Sequence, residues 1–173
     1  LKDGWCSSTV HLNQISIMPK NKKYIKFNDN LILGKSDVNS EDYDTLVFAN
    51  RDLKAVKIPS FIKIISAHAF SYSSLEKIFI PSQVRFICES AFSFCRQLHY
   101  FEISSNSELQ VIGKKAFHNT IFKSIAIPSQ VKQIESDCFL LGKLEIIEIG
   151  EISILHSFDT SSFNDLIIFS PIK

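Results

Sequence analysis

One apolar pattern recurs along the chain with a nearly constant period. The stretch IPSQV occupies residues 80–84 and returns at residues 127–131, and the related stretch IPSFI occupies residues 58–62. In each unit an isoleucine then precedes a phenylalanine by five positions, and the four pairs are Ile65 and Phe70, Ile87 and Phe92, Ile112 and Phe117, and Ile134 and Phe139. Self-similarity with a period of about 20–50 residues predicts stacked structural units, because one such unit cannot bury its own apolar face.

The common unit reads I-P-S-x-[IVL]-x-x-I-x-x-x-A-F-x(4 or 5)-[LF]-x-x-[IF]-x-I. The spacing is 22 residues from Ile58 to Ile80, 23 from Ile80 to Ile103 and 24 from Ile103 to Ile127. The extra residues fall between the apolar positions, and the longer insertion lies in SSNSE at 104–108. Insertions of this kind predict surface loops, which lengthen at little free-energy cost.

The end of each unit alternates as a β-strand does, which predicts Ile78 and Ile80 inward and Lys77 and Phe79 outward. The prolines that follow these strands are Pro59, Pro81 and Pro128. Proline ends a strand because it cannot donate to a continued ladder. The [IVL]-x-x-I segment predicts a second, short extended piece, and the Ala–Phe segments predict a short helical turn.

A single domain is predicted over residues 1–173. Its expected parts are a partial repeat at 1–19, a hairpin and loop interruption at 20–52, four regular repeats at 53–149 and a degenerate repeat or cap at 150–173.

The weaker matches lie at the two ends and inside the interruption. Leu12, Ile15 and Ile17 match the strand pattern near the N-terminal end, and Phe163, Leu166 and Ile168 match it near the C-terminal end. Within the interruption, KYIKFNDNLILG predicts a hairpin that turns at residues 28–30. The polar run at residues 35–44 predicts an exposed loop.

The stretch IPSQVRFICESAFSFCRQLHYFEI at residues 80–103 resembles the BspA-like, Treponema-type leucine-rich repeat. The chain departs from that repeat at Ser104, where proline is missing, and at Cys138, where alanine is expected. The resemblance implies a right-handed leucine-rich-repeat solenoid, rich in β-strands with short helical turns and about 22–24 residues per repeat. It also implies the family's association with bacterial and protist surface antigens, adhesion to host matrix and cells, and protein binding without catalysis.

Composition excludes several other classes of function. The chain has 19 basic and 18 acidic residues, a formal charge of +1, so nucleic-acid binding is not expected. No apolar run approaches the roughly 20 residues that span a bilayer, so no membrane insertion is predicted. Because Leu1 is not an initiator, an excised fragment or a processed chain is expected.

No motif of an enzyme, a metal site or a cofactor site is present, so none of the three is predicted. Cys138 takes the place of the repeat's alanine and is expected in the core, as is Cys95. Cys88 is expected to be exposed, Cys6 lies in a terminus without a readable pattern, and reduced thiols are predicted. His68 is expected at an exposed, variable position.

The outward positions of the stacked strands form the candidate binding face. One predicted ladder is Lys57, Phe79, Glu102, Ala126 and Glu148, and its neighbour is Ala55, Lys77, Tyr100, Ser124 and Ile146. Apolar side chains at Phe79, Tyr100 and Ile146 with charged neighbours are typical of a protein-binding patch. The alternatives are that their exposure is incidental or that the 20–52 hairpin covers them.

The predicted function is a non-catalytic protein-binding module of a cell-surface antigen or adhesin, at the cell surface or secreted. The expected partner is a protein, such as a host matrix or cell-surface protein. The alternatives are an intracellular (cytoplasmic) interaction scaffold and a structural spacer in a longer repeat array.

Overall fold

The computed structural model describes residues 4–149 and two further strands, at residues 157–158 and 167–169. In this described part the strands are β1 (Tyr24–Lys26), β2 (Leu31–Gly34), β3 (Thr45–Ala49), β4 (Ala55–Lys57), β5 (Ile64–Ile65), β6 (Lys77–Ile80), β7 (Phe86–Ile87), β8 (Tyr100–Ile103), β9 (Val111–Ile112), β10 (Ser124–Ile127), β11 (Gln133–Ile134), β12 (Ile146–Ile149), β13 (Ser157–Phe158) and β14 (Ile167–Phe169).

Each regular repeat contributes two strands to two walls of a β-solenoid. The [LF]-x-x-[IF]-x-I segments form the longer strands, and the [IVL]-x-x-I segments form the two-residue strands, as the sequence predicts. The short strands continue an eight-stranded sheet in the order β1-β2-β3-β5-β7-β9-β11-β13. The longer strands form two parallel sheets, β4-β6-β8 and β10-β12-β14. The solenoid of stacked repeats predicted from the sequence is therefore confirmed.

The core between the walls is organised around a column of phenylalanine rings, one from each repeat. The rings of Phe70, Phe92, Phe117 and Phe139 are stacked, with successive centroids 4.9, 5.5 and 5.5 Å apart and interplanar angles below 10°. All four side chains are buried. Because each ring contacts its equivalent in the next repeat, the column stabilises neighbouring repeats jointly and none alone.

The helical turns expected at the Ala–Phe segments do not form, and the reason lies in the backbone hydrogen bonds. Alternate N–H groups donate to the next repeat, as Phe92 does to the carbonyl of Ala116 at 2.8 Å and Phe94 does to that of His118 at 2.8 Å. The groups between them close tight turns, as Ser93 does onto Ser90 at 3.1 Å. A helix would direct every N–H group back along its own segment, so stacking of the repeats replaces the helix with a run of turns.

Two positions in each of these turns have a left-handed backbone conformation. The first is held by His68, Ser90, Lys115 and Asp137, and the second by Tyr72, Phe94, Asn119 and Leu141, all with φ between 54° and 60°. This conformation costs an ordinary L-residue about 1–2 kcal/mol, whereas asparagine tolerates it better. Asn119 is thus suited to its position and Leu141, which is 62% exposed, is not.

Replacing Leu141 with asparagine is therefore expected to raise the free energy of unfolding by about 0.5–1 kcal/mol, because strain is relieved and little buried area is lost. Urea denaturation checks this expectation. Lys143→Asn is the matched control at an exposed position with ordinary backbone angles, and it is expected to change stability by less than about 0.5 kcal/mol. An unchanged or lower stability for Leu141→Asn contradicts the argument from strain.

The hairpin predicted within residues 20–52 is confirmed. Strands β1 and β2 pair antiparallel, and the side-chain oxygen of Asn28 accepts the N–H groups of Asn30 and Leu31 at 2.9 Å each, which fixes the turn. Strand β3 then pairs antiparallel with β2 and parallel with β5. The interruption of the repeat pattern thus extends the eight-stranded sheet with the hairpin.

The strand expected at Leu12, Ile15 and Ile17 is not formed; residues 12–18 are irregular. These three side chains instead join a second apolar cluster around Cys6, Ile32, Val47 and Phe48, together with Trp5 and Tyr24. The residues before the hairpin cover apolar side chains that β2 and β3 turn away from the main core.

The two parallel sheets are separated between β8 and β10. These strands lie next to each other but carry no ladder hydrogen bonds, whereas β7, β9 and β11 of the same repeats remain paired. The separation follows the 104–108 insertion and the missing proline. At the C-terminal end, β14 pairs with β12 so that Ile168 lies opposite Ile147; Phe163 and Leu166 lie outside the described residues.

Candidate protein-binding face

The outward side chains of β4, β6 and β8 lie in two rows across the three strands. Pairing places Ala55, Lys77 and Tyr100 side by side, and it places Lys57, Phe79 and Glu102 in the second row. The predicted ladders are correct for this part of the chain, because parallel pairing in register aligns the same phase of each repeat. We call these six residues the strand face.

Two aromatic rings dominate the strand face. Phe79 is 48% exposed and Tyr100 is 52% exposed, whereas Ile78, which directly precedes Phe79 and points inward, is 2% exposed. The difference arises from the pleat, which turns successive side chains to opposite sides of the strand. Each ring has a lysine beside it in its own row, Lys57 for Phe79 and Lys77 for Tyr100.

Among the charged side chains of the strand face, Glu102 has a hydrogen-bond partner, whereas the two lysines have no ion pair within the described part of the chain. The hydroxyl of Tyr100 donates a hydrogen bond to the Glu102 carboxylate, and this bond raises the pKa of Tyr100 above its usual value. Neither Lys57 nor Lys77 has an ion pair among the described residues. Two cations flanking apolar rings are therefore available to an incoming group.

The remaining predicted residues lie on the second parallel sheet. Ser124 pairs with Ile146 and Ala126 with Glu148; Ile146 is half-buried and the other three are exposed. Because β8 and β10 do not pair, the two predicted ladders are each interrupted at this point. The structure brings five of the nine predicted site residues together on the strand face and places these four beyond the separation.

The hairpin does not cover the aromatic rings. It belongs to the eight-stranded sheet, and the strand face is open over a shallow depression of about 370 Å³. The depression is lined by Ala55, Val56, Ile78, Phe79 and Tyr100 together with Lys57 and Lys77. An uncovered apolar surface with a charged margin is suited to contact with another protein.

Two cysteine thiols, those of Cys95 and Cys138, lie deep in the main core, and Cys6 is buried in the second apolar cluster. Burial raises the pKa of Cys95 to about 11 and raises that of Cys138 further, so neither is suited to act as a nucleophile. Cys88 is half-buried where exposure was expected. The described residues contain no group of three or more His, Cys, Asp or Glu side chains that could hold a metal ion.

His68 is also less exposed than its variable phase predicts. Its ring is half-buried beside Gly4, and desolvation lowers the pKa of its imidazole. The difference arises because residues 4–6 pack over this turn, and no sequence period indicates that contact.

Sequence reasoning missed Arg51, a fully buried cation. Its guanidinium donates to the carbonyl oxygens of Ala69 at 2.8 Å, His68 at 3.1 Å and Thr9 at 3.3 Å, and it lies 4.6 Å from the centre of the Phe48 ring. In the repeat alignment it occupies the position of Ser73 and Cys95. The burial of Arg51 could have been predicted from this alignment, because those repeats carry small buried residues at the same position.

Comparison with known proteins agrees with this geometry. The BspA type leucine rich repeat region matches residues 39–145 in six copies. The chain belongs to the BspA-type leucine-rich repeat family. The match begins within the predicted interruption, so this BspA-type domain starts its repeats earlier than the residue pattern alone indicates.

Among solved structures, the crystal structure of the pneumococcal vaccine antigen PcpA is similar to this BspA-type domain, with 25% sequence identity and a TM-score of 0.53. The similarity covers 75% of this chain and 39% of that chain. No curated protein matches the sequence. Within the described residues there is no helix of the length and apolarity required to cross a membrane.

Proposed function

We propose that this chain is a non-catalytic protein-recognition module of a cell-surface or secreted protein, and that it binds through the strand face. The observation that carries the proposal is the exposure of Phe79 and Tyr100 beside Lys57 and Lys77 on a hydrogen-bonded sheet. Membership of the BspA-type family and the similarity to a pneumococcal vaccine antigen support the cellular location.

Recognition on this face needs little reorganisation of the module. The strands are held in register on both sides of β6, so the backbone under the rings is already ordered before a partner arrives. An aromatic ring loses few rotamers on contact, and pre-organisation lowers the entropic cost of association. The two rings are therefore expected to act as anchors, with the charged side chains at the margin.

Replacing Phe79 and Tyr100 together with aspartate is expected to weaken binding by at least about 2 kcal/mol, the range of hot-spot aromatic residues. The measurement is surface plasmon resonance against immobilised host matrix proteins, with the unmodified domain defining which of them bind. Phe61→Asp with Phe86→Asp is the matched control, because these rings are 45% and 38% exposed at other sites. Equal loss in both variants, or no loss in the first while circular dichroism reports a folded domain, contradicts the assignment.

Location is tested independently by antibody labelling of intact and permeabilised source cells, with serum raised against this domain. Labelling of intact cells is expected. Labelling only after permeabilisation supports an intracellular scaffold and excludes the surface proposal.

A further inference from the structure

The depression on the strand face exists because of one small side chain. Ala55 occupies the row in which the neighbouring strands carry Lys77 and Tyr100, and its methyl group leaves the space beside Lys77 empty. The ring of Phe79 lies in the adjoining row. The space is thus bounded by apolar groups and by an aliphatic lysine stem, and it suits one bulky apolar side chain.

The core is also less covered beneath the depression than elsewhere. The inward residues of the β4 repeat, Leu53 and Val56, are half-buried, whereas their equivalents Leu75 and Ile78 in the next repeat are buried. Strand β4 pairs with β6 on one side only within the described part of the chain. Val56 is also among the residues that line the depression, so a ligand seated there lies against this repeat.

Addition of a further strand at the free edge of β4 is disfavoured. The strand has three residues; Lys54 precedes it, Lys57 is its last residue, and Pro59 comes two residues later. Short length, proline and lysine are the features by which exposed edges avoid pairing with other chains. Contact is consequently expected on the face of the sheet and not along its edge.

The two lysines that line the depression indicate that the ligand carries negative charge. Three other basic side chains of the regular repeats are paired with an acidic residue of the next repeat: Lys54 with Glu76 at 2.9 Å, Arg85 with Glu108 at 2.8 Å and Lys123 with Glu145 at 2.7 Å. Lys57 and Lys77 line the depression without an ion pair, and the nearby Glu102 is engaged by the hydroxyl of Tyr100. A carboxylate is the complementary group for these two lysines.

We infer that the partner presents an extended segment in which one bulky apolar side chain is flanked by acidic residues two positions away on either side. In an extended chain, residues two apart face the same side. The apolar side chain would fill the space over Ala55 and Val56 against the Phe79 ring, while the carboxylates reach Lys57 and Lys77. The inference rests on the proposed function, since it specifies the partner of the same face.

Three synthetic pentapeptides serve as probes: acetyl-Glu-Thr-Trp-Thr-Glu-amide and its counterparts with Gln or Lys in place of both Glu residues. Titration into the ¹⁵N-labelled domain, followed by NMR, gives relative affinities and the residues contacted. The acidic peptide is expected to bind about tenfold tighter than the basic one, to shift the resonances of residues 55–57 and 77–79, and to lose this advantage at high salt.

Lys57→Glu with Lys77→Glu is expected to reverse the order of the acidic and basic peptides. Lys114→Glu with Lys132→Glu is the matched control, with the same change of net charge at exposed lysines that have no ion pair among the described residues. The control is expected to preserve the order.

The outcomes separate this inference from the proposed function. Equal binding of all three peptides at residues 55–57 and 77–79 overturns the acidic partner but leaves the strand face as a binding site. Absence of shifts on the strand face with all three peptides also overturns the inference, whereas the proposed function is judged by the Phe79 and Tyr100 variant. Concentration-dependent shifts of the free domain at the same residues assign the face to a second copy of the chain, and the inference then fails.

Discussion

Replacing Phe117 with alanine is expected to lower the free energy of unfolding by about 4–5 kcal/mol, near the upper end for a buried phenylalanine. Its ring stacks on those of Phe92 and Phe139 at 5.5 Å each, and it meets Phe101 at 4.7 Å and Phe122 at 5.4 Å edge to face. The variant loses the transfer free energy of one ring, leaves a cavity and removes four aromatic contacts.

Urea denaturation followed by circular dichroism measures this loss. Phe86→Ala is the matched control, because its ring is exposed on the eight-stranded sheet, and it is expected to cost less than about 1 kcal/mol. A loss below about 2 kcal/mol in Phe117→Ala would falsify the view that the ring column couples the repeats.

The position of Phe117 in the column has a further consequence. In a solenoid each repeat contacts only its neighbours, so damage to one interface can uncouple the two sides of the array. Phe117→Ala is therefore expected to broaden the transition, because repeats on one side unfold before those on the other. Amide hydrogen exchange measures this directly: the amide groups of β11 are expected to lose protection before those of β5.

Replacing Arg51 with methionine is expected to cost about 3–4 kcal/mol of stability. The side chain is fully buried, and its two shortest hydrogen bonds, to the carbonyls of Ala69 and His68, are charge-assisted and contribute about 1.5–3 kcal/mol each. Its contact with the carbonyl oxygen of Thr9 also joins the segment before the hairpin to the turn after β5. Arg51→Lys is not expected to restore stability, because an ammonium group lacks the planar set of five donors.

Fluorescence offers a local measurement of the same change. Trp5 is the single tryptophan of the chain, and it packs on Phe48 with ring centroids 5.8 Å apart. Loss of the Arg51 contacts should release this segment and shift the emission to longer wavelength before the main transition. Arg96→Met is the control, since that guanidinium lies at the surface 5.6 Å from the centre of the Phe94 ring. Unchanged emission and stability in Arg51→Met contradict the proposed role.

Much of the strand face could be predicted from the sequence. Alternation in the segment at 77–80 fixes which residues point outward, and the repeat period fixes which of them become neighbours. The exposure of Phe79 and Tyr100 and their pairing with Lys57, Lys77 and Glu102 follow from these two local rules. The separation of the two parallel sheets between β8 and β10 does not follow from these rules. A two-residue insertion can be accommodated either in a loop or by displacement of the next strand, and the sequence does not distinguish the two.

The sequence by itself determined the solenoid, its two strands per repeat and the inward column of Phe70, Phe92, Phe117 and Phe139, since these depend on periodicity and on the alternation of a single strand. Only the tertiary structure decided the left-handed turns, the hydrogen-bond partners of Arg51 and the placement of the hairpin in the eight-stranded sheet. In each of these cases the deciding hydrogen bonds join segments that are distant in the sequence: different repeats, the hairpin and β3, or Arg51 and residues 6–9. Their partners are set by stacking, and no local pattern in the sequence encodes that choice.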